Sequence, residues 1–588
     1  MSRPGLGARA IDAPSGARGA DAEARLGELA SSRGALRRVL AGLAAELVAR
    51  EASGGAGWLR LGYVRAADYA RERLGLAGRS LYDLARVGRA LAGLPRLEAT
   101  LVSGSLPWSK VRLLARFVGP HDEAAWIALA RGVNVRALEH QVRAVDRGAL
   151  EAGAAGDCDE DGGSVEPLEA VQVRVGSALY FKWRRTKEWA AREAGRRIPP
   201  GTVLEMVTAE TLSALPLAAA DVCAAQAGEP VANVCATQAP ADLDPPAPEA
   251  HPLPAFLAPL LEGLEDVDAF ELDARLRRAF RLEQRLDAEI APLLRHVSSQ
   301  PLTSFARERL GMSPRKARAL LRLERIGELC PTLQAAFRDG TLSWVQAQAL
   351  APLVLLDEAG SWRTAWVRFA GQVTVRRLEE TVDQALAVRA SGSHLWAACR
   401  DAPERACELE ERAATEARQT CARPTSPLEG IRLRVMAPRD VARLFRAALC
   451  TVRLAIEAET GRLPTEAEGF EAMIDHALRS WGVGDPWLRG RVRVAKQFAV
   501  YERDGWCCAV PGCTSMRNLH AHHVRFRSAA GGDELENLVT LCAAHHHHGV
   551  HAGRLRIRGR APDALWFELG VRPGHPPLAR FRSGDRVA

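Results

Sequence analysis

The residues with the greatest chemical capacity lie together near the C-terminus. Cys507, Cys508, Cys513 and Cys542 fall with eight of the chain's fifteen histidines between positions 507 and 551. Cys508 and Cys513 bracket a tight turn containing Pro511 and Gly512, and twenty-nine residues after Cys513 comes the pair Cys542-Ala-Ala-His545. Two short-spaced pairs of soft donors separated by a folded stretch meet the four-coordinate, tetrahedral needs of structural Zn²⁺, which accepts a Cys₃His set. The competing reading is four reduced cysteines brought near one another by chance. Cys507 is out of step with the pairs and reads as a bystander.

Between the pairs, LHAHHVRF alternates and predicts a strand carrying His520, His522 and His523. Neighbouring residues on a strand face opposite ways, so His522 and His523 cannot serve one ion without a bulge or a strand end. One imidazole would ligate a metal while the other, metal-free and neutral near pH 7, accepts a proton from water. In SAAGGDELENLVTLC, Gly531 and Gly532 permit a turn and Asn537 precedes an apolar run. The closing HHHHGVHAG places His546 and His551 five apart, enough to bring both to one side near a helix end. A histidine run by itself more often marks an exposed or fortuitous metal-binding tract.

Taken in order, CAVPGC, AHHV, GGDELENLVTLC and CAAHH with a following VH resemble the zinc-stabilised branch of the His-Asn-His endonucleases, over roughly 60 residues. The resemblance implies a ββα-metal fold. His523 would be the general base, His522 a ligand of the catalytic ion, and Asn537 the brace of the loop between the strands. His546 and His551 would complete the metal site, while Cys508, Cys513, Cys542 and His545 would hold structural zinc. Two departures stand out. His545 replaces the second cysteine common after Cys542, and the gap from His546 to His551 is one residue longer than usual, which keeps His547 and His548 open as substitutes. The implied activity is hydrolysis of DNA phosphodiester bonds. Mg²⁺ or another divalent ion on the scissile phosphate would stabilise the developing charge. Zinc would supply the rigidity that so small a module cannot draw from apolar burial. Two other classes remain: a zinc-containing DNA-binding protein that does not cut, and a metal-storage or sensing tract, which would need neither Asn537 nor ordered spacing.

These residues must be positioned by a long chain. At 588 residues it exceeds one ordinary core and suggests about three or four domains. Its 47% hydrophobic and 26% charged residues suit a soluble globular protein, and no apolar run approaches the ~20 residues of a membrane span. Residues 1–22 read as a disordered leader without a secretory core, which leaves the cytoplasm as the expected location. A net charge of +8 favours a polyanionic partner such as DNA, although 79 basic against 71 acidic residues is a mild excess.

The chain also repeats itself. DYARERLGLAGRS (68–80) returns as SFARERLGMSPRK (304–316), SLPWSKVRLLARFV (105–118) as TLSWVQAQALAPLV (341–354), and VNVRALEHQV (133–142) as VTVRRLEETV (373–382). A fainter pair links VQVRV at Val171 with IRLRV at Ile431, each expected to form a strand. Apolar residues at three- and four-residue spacing make each copy mainly helical, with helix starts expected at Ser80 and at Ser313-Pro314. The fold expected is therefore mainly α with a small C-terminal α+β domain. It comprises repeat unit 1 (23–215), an Ala/Pro-rich linker (216–254), repeat unit 2 (255–487) and a nuclease-like domain (488–588) ending in a β-hairpin. A shorter Gly- and Asp-rich linker is expected at 151–167. The repeats resemble the duplicated helical region found ahead of His-Asn-His domains in many bacterial proteins. In each copy a short helix, a glycine (Gly75, Gly311) and an Arg-bearing helix would suit either a helix-turn-helix DNA reader or a plain helical hairpin. In the terminal hairpin, Arg554, Arg556 and Arg558 share a face that would either grip phosphates or simply face solvent.

Overall fold

The computed structural model describes residues 16–52, 57–151, 168–214, 252–297, 301–356, 360–420, 430–481 and 496–587. Contacts divide the chain into two compact units that each draw on both repeat copies. The first takes segments 1–60, 69–155 and 240–359; the second takes 61–68, 156–239 and 360–588. The compact bodies thus cut across the boundaries at 215 and 254. Most of the expected linker 216–254 and the shorter one at 151–167 lie outside the described residues, as does the leader up to residue 15. The remainder of that leader is not disordered. A helix begins at Gly16 and runs to Ala52, with Ala22 and Leu26 already buried. Among the described residues no helix is long and apolar enough to cross a membrane.

The first unit is helical. Helix Gly16–Ala52 packs on helices Gly78–Leu91 and Ala269–Leu293. At Gly88 a Cβ would fall 2.0 Å from the Ala41 carbonyl oxygen, so only glycine permits this crossing. Ser313 caps the helix Pro314–Leu329, its hydroxyl accepting from the Lys316 amide, with Pro314 in the first turn. The expected cap at Ser80 is not one: helix Gly78–Leu91 starts two residues earlier, after Ala77, and Ser80 lies in its first turn. Both second helices turn their apolar residues inward, Leu81, Leu84, Val87 and Leu91 in one copy and Ala317, Leu320, Leu323 and Ile326 in the other.

The two copies meet reciprocally. Gly75 sits against Ser343 of the second copy's TLSW motif, where a Cβ would lie 2.8 Å from the serine Cβ. Its counterpart Gly311 sits against Trp108 of the first copy's SLPW motif, 2.6 Å from the backbone nitrogen. Both glycines have left-handed φ, +67° and +60°, so neither space nor conformation admits a side chain.

A buried ion cluster joins three helices of this unit. Arg33, 2% exposed, bonds Glu283 at 2.9 Å and also Asp287, one turn further along the same helix. Arg37 bonds Glu283, and Lys316 reaches Asp287 at 2.6 Å. Burial opposes the charge of Glu283, yet Arg37, Lys316 and Arg33 together hold its carboxyl well below the ordinary range.

In the second unit the two repeat strands pair with each other. β1 (Leu168–Val175) runs antiparallel to β2 (Ile431–Pro438), with Val173 opposite Leu433. Leu433 is also the residue equivalent to Val173 in the other copy, so a local two-fold axis passes through that pair. Val171, Val173 and Val175 and, opposite, Leu433, Val435 and Ala437 are buried in a core completed by Trp183, Phe445 and Phe470. Two strands alone are marginal, and the helices Ser177–Ala194, Pro200–Ala214, Arg439–Thr460 and Glu466–Ser480 supply the missing cover.

Replacing Arg33 by Met should destabilise the first unit by about 1–3 kcal/mol in urea unfolding, since it removes one buried partner from Glu283 and one from Asp287 while Arg37 and Lys316 remain. The depressed carboxyl of Glu283 contributes stability that is present above its unfolded pKa and lost as pH falls through its lower folded one. The gap between wild type and Arg33→Met should therefore narrow as pH drops below about 4.

Candidate metal centre

The module that carries the cysteines and histidines lies within the second unit. Helix Lys496–Arg503 leads into the cysteine turn, and β3 (Leu519–His523) pairs antiparallel with β4 (Leu538–Cys542), which is buried throughout. Asp504 ties the helix to β4 by accepting from the Thr540 amide at 2.8 Å. After the short helix His545–His551, the chain forms β5 (Leu555–Arg560), β6 (Ala564–Leu569), β7 (Ala579–Arg582) and β8 (Arg586–Val587). The expected terminal hairpin is thus half of a four-stranded antiparallel sheet. Its last strands escaped notice because they are only four and two residues long.

Cys508, Cys513, Cys542 and His545 are all buried, with one donor atom from each lying within 4.8 Å of the others. This set can hold a metal ion, and three sulfurs with one imidazole fit zinc. His545 presents Nδ1 to the sulfurs of Cys508 and Cys542 at 3.5 and 3.4 Å, while Nε2 donates to the Gly62 carbonyl at 3.2 Å. That outer bond fixes the tautomer whose Nδ1 lone pair faces the sulfurs. Burial alone would lower the pKa of His545, but the Cys508 and Cys542 sulfurs more than offset it and push it up to about 10, whereas a metal on Nδ1 would keep the ring neutral. Cys507 stands outside the four, its thiol pushed up to about 11 by burial.

Two segments far away in sequence grip this cluster. Besides Gly62, residues 61–68 contribute Arg65, which donates to Ser515 at 3.0 Å, and Asp68, which accepts from Thr514 at 2.8 Å. Arg376 donates to the carbonyls of Cys508, at 3.0 Å, and Cys513, while Asp585 holds it at 2.8 Å. Burial opposes the arginine's charge, and Asp585 and the cysteines more than offset it. A Zn²⁺ held by three thiolates and a neutral imidazole would carry net negative charge, which Arg376 would balance.

A second cluster, His522, His546 and His551, likewise gathers its donor atoms within 4.8 Å. The five-residue gap between His546 and His551 has a local explanation. Residues His545–His551 form a π-helix, whose i→i+5 turn absorbs one extra residue and returns His551 to the side of His546. Their Nε2 atoms lie 3.4 Å apart. Burial first, then the neighbouring imidazoles, lowers both His522 and His546 to about 4, so both are neutral donors at pH 7. His547 groups instead with His520 and His546, and His548 joins neither cluster.

His523, next along β3, faces the other way. Its Nε2 lies 2.7 Å from Asp533 Oδ1, a contact that requires the proton on Nε2. The 3.3 Å approach of Arg527 Nε to the same nitrogen is then not a hydrogen bond, and Arg527 pairs instead with Asp533 at 2.7 Å. These two partners draw Asp533 down to about 2. Asn537 spans the loop between the strands. It accepts from the Arg525 amide at 2.8 Å and donates to the carbonyls of Arg525, at 3.1 Å, and Gly532, at 2.7 Å. Gly532 immediately precedes Asp533, so this brace also sets the carboxylate.

Arg556 and Arg558 stand exposed on β5, and Arg554 is half-buried just before it. Arg556 is engaged by Glu568, its cross-strand neighbour, at 3.0 Å. Sequence inspection passed over Asp533, Gly62 and Arg376. Only Asp533, within GGDELEN, had a local signal, as the acid ten residues after a candidate base. No protein-family model, no curated protein and no solved structure matches the chain.

Metal analysis of Cys542→Ser should show loss of about one equivalent of zinc, with a lower unfolding midpoint for the module. His522→Ala should retain that equivalent. Full zinc retention by Cys542→Ser would refute the four-residue site.

Proposed function

We propose that the C-terminal module is a metal-dependent endonuclease that hydrolyses phosphodiester bonds in DNA. The observation that carries this reading is the division of labour at the end of β3: a cluster of three imidazoles, His522, His546 and His551, and, one residue on from His522, His523 held by Asp533. Storage of metal would need the first and not the second.

His523 serves as the general base. With its proton held on Nε2 by Asp533, Nδ1 is the nitrogen that takes a proton from the attacking water. Asp533 orients the ring and stabilises the imidazolium that results, as a carboxylate does in any acid–histidine pair. Asn537 is a positioning residue, acting through Gly532 and the Arg525 backbone. His522, His546 and His551 would hold the catalytic ion, which when bound supplies Lewis-acid stabilisation of charge on the scissile phosphate. The donor set bears on which ion. Three imidazoles without a carboxylate suit ions such as Zn²⁺ or Ni²⁺, whereas Mg²⁺ favours oxygen ligands, so within the expectation of Mg²⁺ or another divalent ion the donor set favours the other ions.

Supercoiled plasmid incubated with the protein should be cut with Ni²⁺ or Zn²⁺ more readily than with Mg²⁺. His523→Ala should lose about 10²–10⁴-fold in rate, and Asp533→Asn a smaller factor. Binding of duplex without cutting in any of these metals or Mn²⁺ would leave a zinc-containing DNA-binding protein. Equal cutting by His523→Ala would remove the histidine from its role.

A further inference from the structure

Beside the metal centre, the second unit contains an aromatic cavity of about 380 Å³, walled by Trp189, Trp481, Tyr501 and Trp506. That volume lies within the ~300–1,000 Å³ typical of small-ligand sites. Its rings are fixed from outside. The Trp481 indole donates to Glu210 at 3.3 Å, the Trp506 indole to Glu502 at 2.6 Å, and the Tyr501 hydroxyl to the Leu519 carbonyl at 2.7 Å. With these polar atoms tied off, the rings have apolar faces to offer. Trp506 is held with φ +54°, a left-handed conformation costly for a bulky side chain. A 2.7 Å bond from its amide to the Tyr501 carbonyl and ring contacts to Phe498 and Tyr501 maintain it.

Arg192 supplies the discriminating charge. Its guanidinium lies over Trp189, 4.5 Å from the ring centre, and 5.8 Å from that of Trp506. Its buried Nη1 has no hydrogen-bond partner among the described residues. Aromatic cages without such a charge receive quaternary ammonium groups; here the arginine repels a cation and leaves a donor for a carbonyl or a phosphate. Glu193 and Asn518, both exposed, add an acceptor and an amide to the lining.

The position completes the case. Leu519, which lines the cavity, begins the strand that ends in His523, and the two share a face by alternation. Leu519 and His523 are about 13 Å apart along the strand, or about four nucleotide steps at 3.4 Å each.

We propose that this cavity receives one unstacked nucleobase of the strand presented to the metal centre, stacked on the tryptophans and hydrogen-bonded by Arg192. The proposal deepens the nuclease reading, from which it takes the choice of a nucleic-acid partner. Unstacking is cheapest for single-stranded, mismatched or damaged DNA, so the cavity would favour such substrates.

The test uses full-length His523→Ala protein, so that binding is measured apart from cutting, and single-stranded 12-mers labelled for anisotropy, either intact or with abasic sites throughout. Intact oligonucleotide should quench tryptophan fluorescence. Trp189→Ala should weaken its binding about 5- to 100-fold while leaving the abasic strand's affinity unchanged. Trp189→Phe should recover most of the loss, and zinc content should be the same in all variants. Equal weakening for both strands, or none for either, would overturn the proposal, as would quenching by choline in place of DNA. The two readings fail separately. Uncut plasmid with base-dependent oligonucleotide binding removes the nuclease alone, and cut plasmid with base-independent binding removes the cavity's role alone.

Discussion

The convergence of Cys508, Cys513, Cys542 and His545 on one point is the constraint from which the rest of the C-terminal site follows. These residues come from a turn, the end of β4 and the first position of a π-helix, three pieces too short to hold one another by apolar burial. His545 is bonded at both ring nitrogens, one facing sulfur and the other the Gly62 carbonyl, so its orientation is set. His546 follows it directly. The cluster of His522, His546 and His551 therefore inherits its geometry from the sulfur-rich cluster, and ligand placement at one candidate metal site depends on the other.

The same cluster explains why the repeats are not merely upstream of the module. Residues 61–68 belong to the first copy and Arg376 to the second, yet both bond to the cysteine turn and its neighbours. Arg376 brings positive charge to the carbonyls of Cys508 and Cys513, and Asp585, from the end of the terminal sheet, holds that arginine in place. Charge balance thus joins the duplicated region to both ends of the module within one compact unit.

The similar segments meet reciprocally. Val173 faces Leu433, its own equivalent, and Gly75 and Gly311 each meet the tryptophan-bearing motif of the opposite copy. A two-stranded sheet and a helical hairpin are both unstable alone, and here each is covered by segments from elsewhere in the chain. This accounts for compact units that divide each copy instead of following the order of the chain.

Much of this was legible in the residues. Ligand chemistry is a property of side-chain type and short spacing, so Cys508, Cys513, Cys542 and His545 could be grouped without coordinates, and strand alternation separated His522 from His523. Helical periodicity and the repeat were equally plain, because both are written in local order. What tertiary structure decided were the relations between distant segments. They include the pairing of β1 with β2, the bonds from Gly62 and Arg376, and the aromatic cavity assembled from Trp189, Trp481, Tyr501 and Trp506. The π-turn that places His551 is local, yet it too was hidden, because nothing in HHHHGVH distinguishes a turn of i→i+5 bonds from an ordinary helix. Sequence fixes which atoms can bond over a few residues, whereas contacts across hundreds of residues arise only when burial and charge balance bring the chain back upon itself.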